Sequence, residues 1–192
     1  DAFCEKTQKQ ADRMKVTVGE KEAEIMVGHI TMANDPFMID EVNNRIVEGK
    51  CAEQAIDEVC DMFYAMFDAS DEQLIRERCA DVQDIRTGIL AQLLGKELVD
   101  LSVLPKDSIV VVHDLTPSMT ATIDKENVVG VVTEVGGRTS HSAIIARALE
   151  IPAVLSLENA CSLIKNGDTC VVDGTIGEVA ISPTQDELAE FR

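Results

Sequence analysis

The chain is short of positive charge: 17 lysines and arginines stand against 35 aspartates and glutamates, a formal net charge of −18 over 192 residues. So acidic a surface is repelled by a nucleic-acid backbone and by an anionic membrane, and neither is expected as a partner. Long apolar runs are also missing. None approaches membrane-spanning length, and the opening Asp1-Ala2-Phe3-Cys4 is not signal-like, so a cytoplasmic protein is expected. The six cysteines, at 4, 51, 60, 79, 161 and 170, show no CxxC pair and no close spacing. That argues against a disulfide framework or a zinc site and for reduced thiols serving as small apolar side chains. A Walker loop is absent, so ATP is not implied. The G-x-S-x-G elbow of many serine hydrolases is absent too, which weakens a nucleophilic reading of Ser140 or Ser142.

What is present is a composition 45% hydrophobic, enough for one substantial core or two modest ones. The acidic excess suits a basic protein partner, and equally a surface that only keeps the protein in solution. Charge alone leaves both open. The chain opens on Asp1 inside a helical pattern, from which we expect a piece of a longer protein.

The first half reads as helices and the second as alternating strands and helices, with a boundary near Asp100. Asp35-Pro36 reads as an N-cap with proline at the first helical position. Asp71 is placed to cap a long helix closing at Gly95, with Leu74, Ile75, Val82, Ile85, Ile89 and Leu93 on one apolar face and Arg76, Glu77, Asp81 and Asp84 outward. A helix carrying Ala52, Ala55, Ile56, Val59, Met62 and Phe63 offers a matching face. With the segments before Val18 and from Glu20 to Met32, these predict an antiparallel helical bundle over residues 1–99. After Pro105, β-branched runs at Ile109–His113, Val128–Thr133, Thr169–Asp173 and Glu178–Ile181 predict strands. Helical pieces are expected at Ser142–Glu150, Pro117–Ile123 and Asn159–Lys165, making a small α/β domain over residues 100–192. The fold class expected is α+β.

One segment stands out. Val131 to Arg147 reads as a buried strand, a turn containing Gly136 and Gly137, and a helix start at which Thr139 or Ser140 can cap. Unpaired amides in a first helical turn favour an anion, and Arg138 adds a positive charge to the same turn. The positive helix end disfavours an imidazolium at His141, leaving a neutral nitrogen able to attack phosphorus. On these residues alone, a capped turn histidine and a phosphoryl acceptor are both open.

Gly136-Gly137-Arg138-Thr139-Ser140-His141-Ser142-Ala143-Ile144-Ile145-Ala146-Arg147 resembles the phosphohistidine signature of the phosphoenolpyruvate-utilising enzymes. Within that group the chain resembles the Enzyme I family of bacterial sugar phosphotransferase systems. The likeness extends to Asp114–Thr120, Leu149–Val154, Gly28-His29-Ile30 and Glu77–Val82, and so to nearly the whole chain.

The resemblance implies that His141 is phosphorylated on Nε2, that Thr120 supplies a hydroxyl orienting its ring, and that Arg138, Thr139 and Ser140 belong to the turn holding the phosphoryl group. It implies that the second half is a swivelling phosphohistidine domain. The helical half is then a dock for the histidine-containing phosphocarrier protein, with Glu20, Glu24, His29, Met32, Asp35, Ile75 and Arg78 at the docking surface. The family begins with an additional strand segment and ends with a barrel that binds phosphoenolpyruvate, Mg²⁺ and a dimer partner. No cofactor or metal is therefore expected on this piece, which should be monomeric while the full-length protein is a homodimer. The alternatives are the mobile domain of a dikinase or phosphoenolpyruvate synthase, and a non-catalytic module that docks the carrier without transferring phosphate.

Overall fold

The helical half comprises α1 (Ala2–Thr17), α2 (Glu20–Ala33), α3 (Pro36–Val47), α4 (Ala52–Asp68), α5 (Gln73–Arg76) and α6 (Arg78–Leu93). The computed structural model describes residues 2–137, 140–184, 186 and 188. It separates into two units, Asp1–Val99 and Asp100–Arg192. In the first, only Val18 and Gly19 lie between α1 and α2, which pack along each other; α4 packs against both α3 and α6. Asp35 caps α3, its Oδ1 accepting from Phe37 N at 2.9 Å and Met38 N at 3.3 Å, with Pro36 next in the chain. Gly95, at φ +61°, closes α6 as Lys96 N reaches back to Ala91 O. Met38, Val59, Cys60, Phe63 and Val82 form a buried cluster. All six cysteines are free thiols, and burial pushes Cys60 up to about 11.

The single long helix expected from Asp71 is two helices. Asp71 caps neither; Ser70 Oγ instead accepts from Glu72 N at 3.2 Å, and the chain turns at Glu77 between α5 and α6. No glycine or proline between 71 and 80 marks that break. The apolar face is therefore interrupted: Leu74 is 77% exposed. Asp84, expected outward, is buried, because it faces His29 across the helix pair.

The second unit holds β1 (Ser108–Val112), α7 (Pro117–Thr120), β2 (Val128–Thr133), α8 (His141–Ala148), β3 (Ala153–Val154), α9 (Ala160–Leu163), β4 (Cys170–Asp173) and β5 (Glu178–Ile181). β1, β2 and β3 make a parallel sheet in that order, and β4 and β5 an antiparallel pair. β2 is the central strand. All its residues but Val129 are buried, which is why it reads as a continuous apolar run. Gly130 lets the two layers close up: a Cβ there would sit 3.3 Å from the side chains of both Ile109 and Val172. β3 is not among the expected strands, since two residues after a proline carry no readable period. α7, α8 and α9 are each shorter than the expected pieces.

Among the described residues no helix is long and apolar enough to cross a membrane.

Candidate functional site

Two connections in the parallel sheet run from the carboxyl end of a strand into a helix, β1 into α7 and β2 into α8. Because β1 and β2 are neighbours, those helices meet over one edge of the sheet, the usual place for a site in such folds. Thr120, on the last turn of α7, is buried, and its Oγ1 lies 3.3 Å from Nε2 of His141, the first residue of α8. The same Oγ1 donates to Pro117 O at 2.7 Å. A hydroxyl has one proton to give, so with that proton on Pro117 the oxygen accepts from His141 Nε2–H.

Ser140 is the cap of α8, its Oγ accepting from Ala143 N at 3.3 Å. Ser142, buried, donates to Leu115 O at 3.3 Å and ties the first turn of α8 to the loop ahead of α7. Thr116 caps α7 by accepting from Met119 N. Arg138 and Thr139 lie outside the described residues.

The turn before His141 is fastened by residues that the sequence pattern does not single out. The amides of Glu134 and Val135 donate to His113 O at 3.1 and 3.0 Å. The Glu134 carboxylate accepts from His113 Nδ1 at 2.8 Å and from Cys161 N at 3.0 Å. The hydrogen bond from His113 is the main reason the Glu134 carboxyl is held below its ordinary value. Ser156 Oγ donates to Gly136 O. These ties link positions 20 or more apart, so no local motif announces them. Among the described residues, no group of three or more His, Cys, Asp or Glu side chains is arranged to hold a metal ion.

On the helical unit, Glu20 and Glu24 are exposed one turn apart on α2, Glu20 paired with Lys15. Arg78 is exposed at the start of α6, and Ile75 is half-buried. Met32 packs against the buried cluster. Asp35 is occupied in capping α3. His29 is the correction. Expected at a docking surface, it has 2% of its side chain exposed, because both ring nitrogens are drawn inward to α6 carboxylates, Nε2 to Asp81 at 3.1 Å and Nδ1 to Asp84 at 3.7 Å.

Family comparison matches the phosphoenolpyruvate-utilising enzymes twice, their N-terminal domain over residues 1–78 and their mobile domain over residues 104–177. An NMR solution structure of an Enzyme I protein matches with a TM-score of 0.82 at 38% identity, covering 99% of this chain and 77% of that one. The chain belongs to the Enzyme I family. A second structure, the N-terminal domain of a protein described as Enzyme 1 - Nitrogen, matches at TM-score 0.64 and 25% identity over the same shares, 99% and 77%. Curated Enzyme I relatives named phosphoenolpyruvate-protein phosphotransferase include one from Enterococcus faecalis, 44% identical, covering 100% of this chain and 34% of that protein. Another, from Streptococcus equinus, is 43% identical over 92% of this chain and 31% of its own length. The chain thus spans about a third of the length of these relatives.

Proposed function

We propose that this chain is the portion of a cytoplasmic phosphoenolpyruvate-protein phosphotransferase in which His141 accepts a phosphoryl group and hands it to a histidine-containing phosphocarrier protein in sugar uptake. The observation that carries the reading is the approach of Thr120 Oγ1 to within 3.3 Å of a histidine that opens a capped helix at the carboxyl ends of β1 and β2. In the reading, the amides of the first turn of α8, with Arg138 and Thr139, hold the phosphoryl oxygens.

A nitrogen that carries a proton cannot attack phosphorus. Nε2 is the protonated nitrogen when it donates to Thr120, so transfer through Nε2 calls for the other tautomer, Nε2 giving its proton to solvent while Nδ1 takes one up. In that tautomer the Nε2 lone pair can accept the Thr120 hydroxyl proton until a phosphorylated carrier arrives, and then attacks phosphorus as the hydroxyl turns back to Pro117 O. As the new P–N bond forms, the P–N bond on the carrier breaks and its electron pair returns to the carrier imidazole; each ring keeps one proton throughout. No water takes part in that step.

The helical unit serves as the dock, with Glu20 and Glu24 steering a basic carrier and Arg78, Ile75 and the exposed part of Met32 completing the surface. Phosphoenolpyruvate and Mg²⁺ belong, in this reading, to a barrel domain of the whole protein that also makes it a homodimer, while this chain by itself is a monomer. The Enterococcus relative, of which the chain covers 34%, has room for such a domain.

Incubation with isotopically labelled phosphocarrier tests the assignment. The protein should take up an acid-labile label and His141→Ala none. Label retained by His141→Ala, or an acid-stable label on Ser140, would overturn it. A chain that binds the carrier and is never labelled is a docking module only.

A further inference from the structure

We propose that Ser156 and Glu134 are positioning residues for phosphoryl transfer at His141, clamping the chain at residues 134–136 ahead of it; the proposal rests on the assignment of His141 above. Ser156 lies at φ +59°, in the left-handed region that any residue with a Cβ enters at a cost and glycine enters freely. A loop with no further duty would be better served there by glycine. What serine adds is a hydroxyl, and that hydroxyl donates to Gly136 O, 20 positions away.

Gly136 lies five positions before His141, the first residue of α8. It sits at φ +109°, and a Cβ on it would be 3.2 Å from Ser140 Oγ, the oxygen that caps α8. Turning the Gly136 peptide would therefore disturb the cap, and with it the direction from which His141 enters the helix.

Two positions before Gly136, Glu134 holds the same stretch of chain to two other elements. Its carboxylate takes the His113 ring from the end of β1 and the Cys161 amide from α9, while its own amide and that of Val135 donate to His113 O. The end of β1, the loop after β3 and the start of α9 thus converge on residues 134–136. Reacting atoms must be placed to a fraction of an ångström, and displacements of about 1 Å at a distance from the chemistry cost up to about a hundredfold in rate.

Two substitutions separate positioning from mere structure. Ser156→Gly removes the hydroxyl and relieves the backbone at once, and Glu134→Gln keeps an oxygen for Cys161 N while discharging the partner of His113. A serine that serves stability alone predicts that Ser156→Gly melts lower than the parent and transfers phosphate equally fast. The clamp predicts an unlowered melting temperature in Ser156→Gly, unchanged affinity for the phosphocarrier, and single-turnover transfer slowed about tenfold in each variant. It also predicts displaced imidazole ¹⁵N resonances of His141 and displaced amide resonances of Gly136 and Gly137 in the unphosphorylated protein. An unchanged transfer rate in Ser156→Gly overturns the clamp. Should the parent protein itself take up no phosphate, the assignment of His141 fails instead, and the clamp is decided by the resonances, unmoved His141 signals in both variants overturning it.

Discussion

His29 and Asp81 join α2 to α6, with Nε2 3.1 Å from Oδ1 and the histidine side chain 2% exposed. A carboxylate can only accept, so the ring donates, and α6 turns a second carboxylate, Asp84, toward Nδ1. Replacing His29 by alanine empties a packed position and removes the donor to Asp81. We expect a loss of about 2–4 kcal/mol. It should show as a lower urea midpoint at unchanged slope. Were His29 a surface contact residue, the midpoint would stay where it is and only carrier binding would suffer.

Thr120→Val keeps the shape of a buried side chain and deletes the oxygen facing His141. Transfer from the phosphorylated carrier should slow by about tenfold to a hundredfold without vanishing. The ring should also lose its fixed tautomer, so that the two His141 ¹⁵N shifts move toward each other. Thr120→Ser should restore most of the rate. Equal rates in the valine and serine variants would remove Thr120 from the chemistry.

The exposed pair Glu20 and Glu24 should govern how fast the helical unit meets a basic carrier. Reversing both to lysine should lower the association rate about tenfold at low salt, and the difference should shrink as salt is added. Glu20 is tied to Lys15 on α1, so its reversal also releases that lysine and deepens the positive change. Stopped-flow association across a salt series reads this. An association rate indifferent to both substitutions and salt would place the dock elsewhere.

Glu134 makes a prediction in pH. Its carboxyl is held below its ordinary value, chiefly by the hydrogen bond from His113, so the folded chain binds that proton less readily than the unfolded one. The stability this contributes is present above the unfolded value of about 4.3 and is lost as pH falls through the lower folded value. The stability difference between the parent and Glu134→Gln should accordingly be present above the unfolded value and close as pH falls through the lower folded one. A gap that stays constant over that range would mean the carboxylate's charge contributes nothing.

What the sequence discloses about this protein follows the range over which each signal acts. β2 is readable because a strand buried on both faces needs an unbroken apolar run, and Val128–Thr133 supplies one. His141 draws attention because the glycine turn, the cap and the helix start are contiguous. Thr120 enters only by resemblance, since 21 positions separate it from the ring it meets. The break at Glu77 is silent because helical spacing continues through it without glycine or proline. The burial of His29 is silent for a related reason. Asp81 and Asp84 look like an outward polar face until α2 is laid beside them, and a histidine that answers two carboxylates 52 and 55 positions away leaves no local trace. The ties of Ser156 and Glu134 to the turn are hidden in the same way.

The register of β1 on β2 has a consequence for when the site comes into being. Val112 lies opposite Thr133, and α7 and α8 depart from just beyond that pair. Thr120 and His141 therefore find each other only after two parallel strands, joined by a long crossover, have paired in the right frame. Such non-local pairing is slow compared with helix formation. During synthesis or refolding, the helical unit can be complete while the imidazole still lacks its hydroxyl. If the helical unit is the dock and His141 the nucleophile, as proposed, a carrier that arrived early would meet the one finished and the other unarmed.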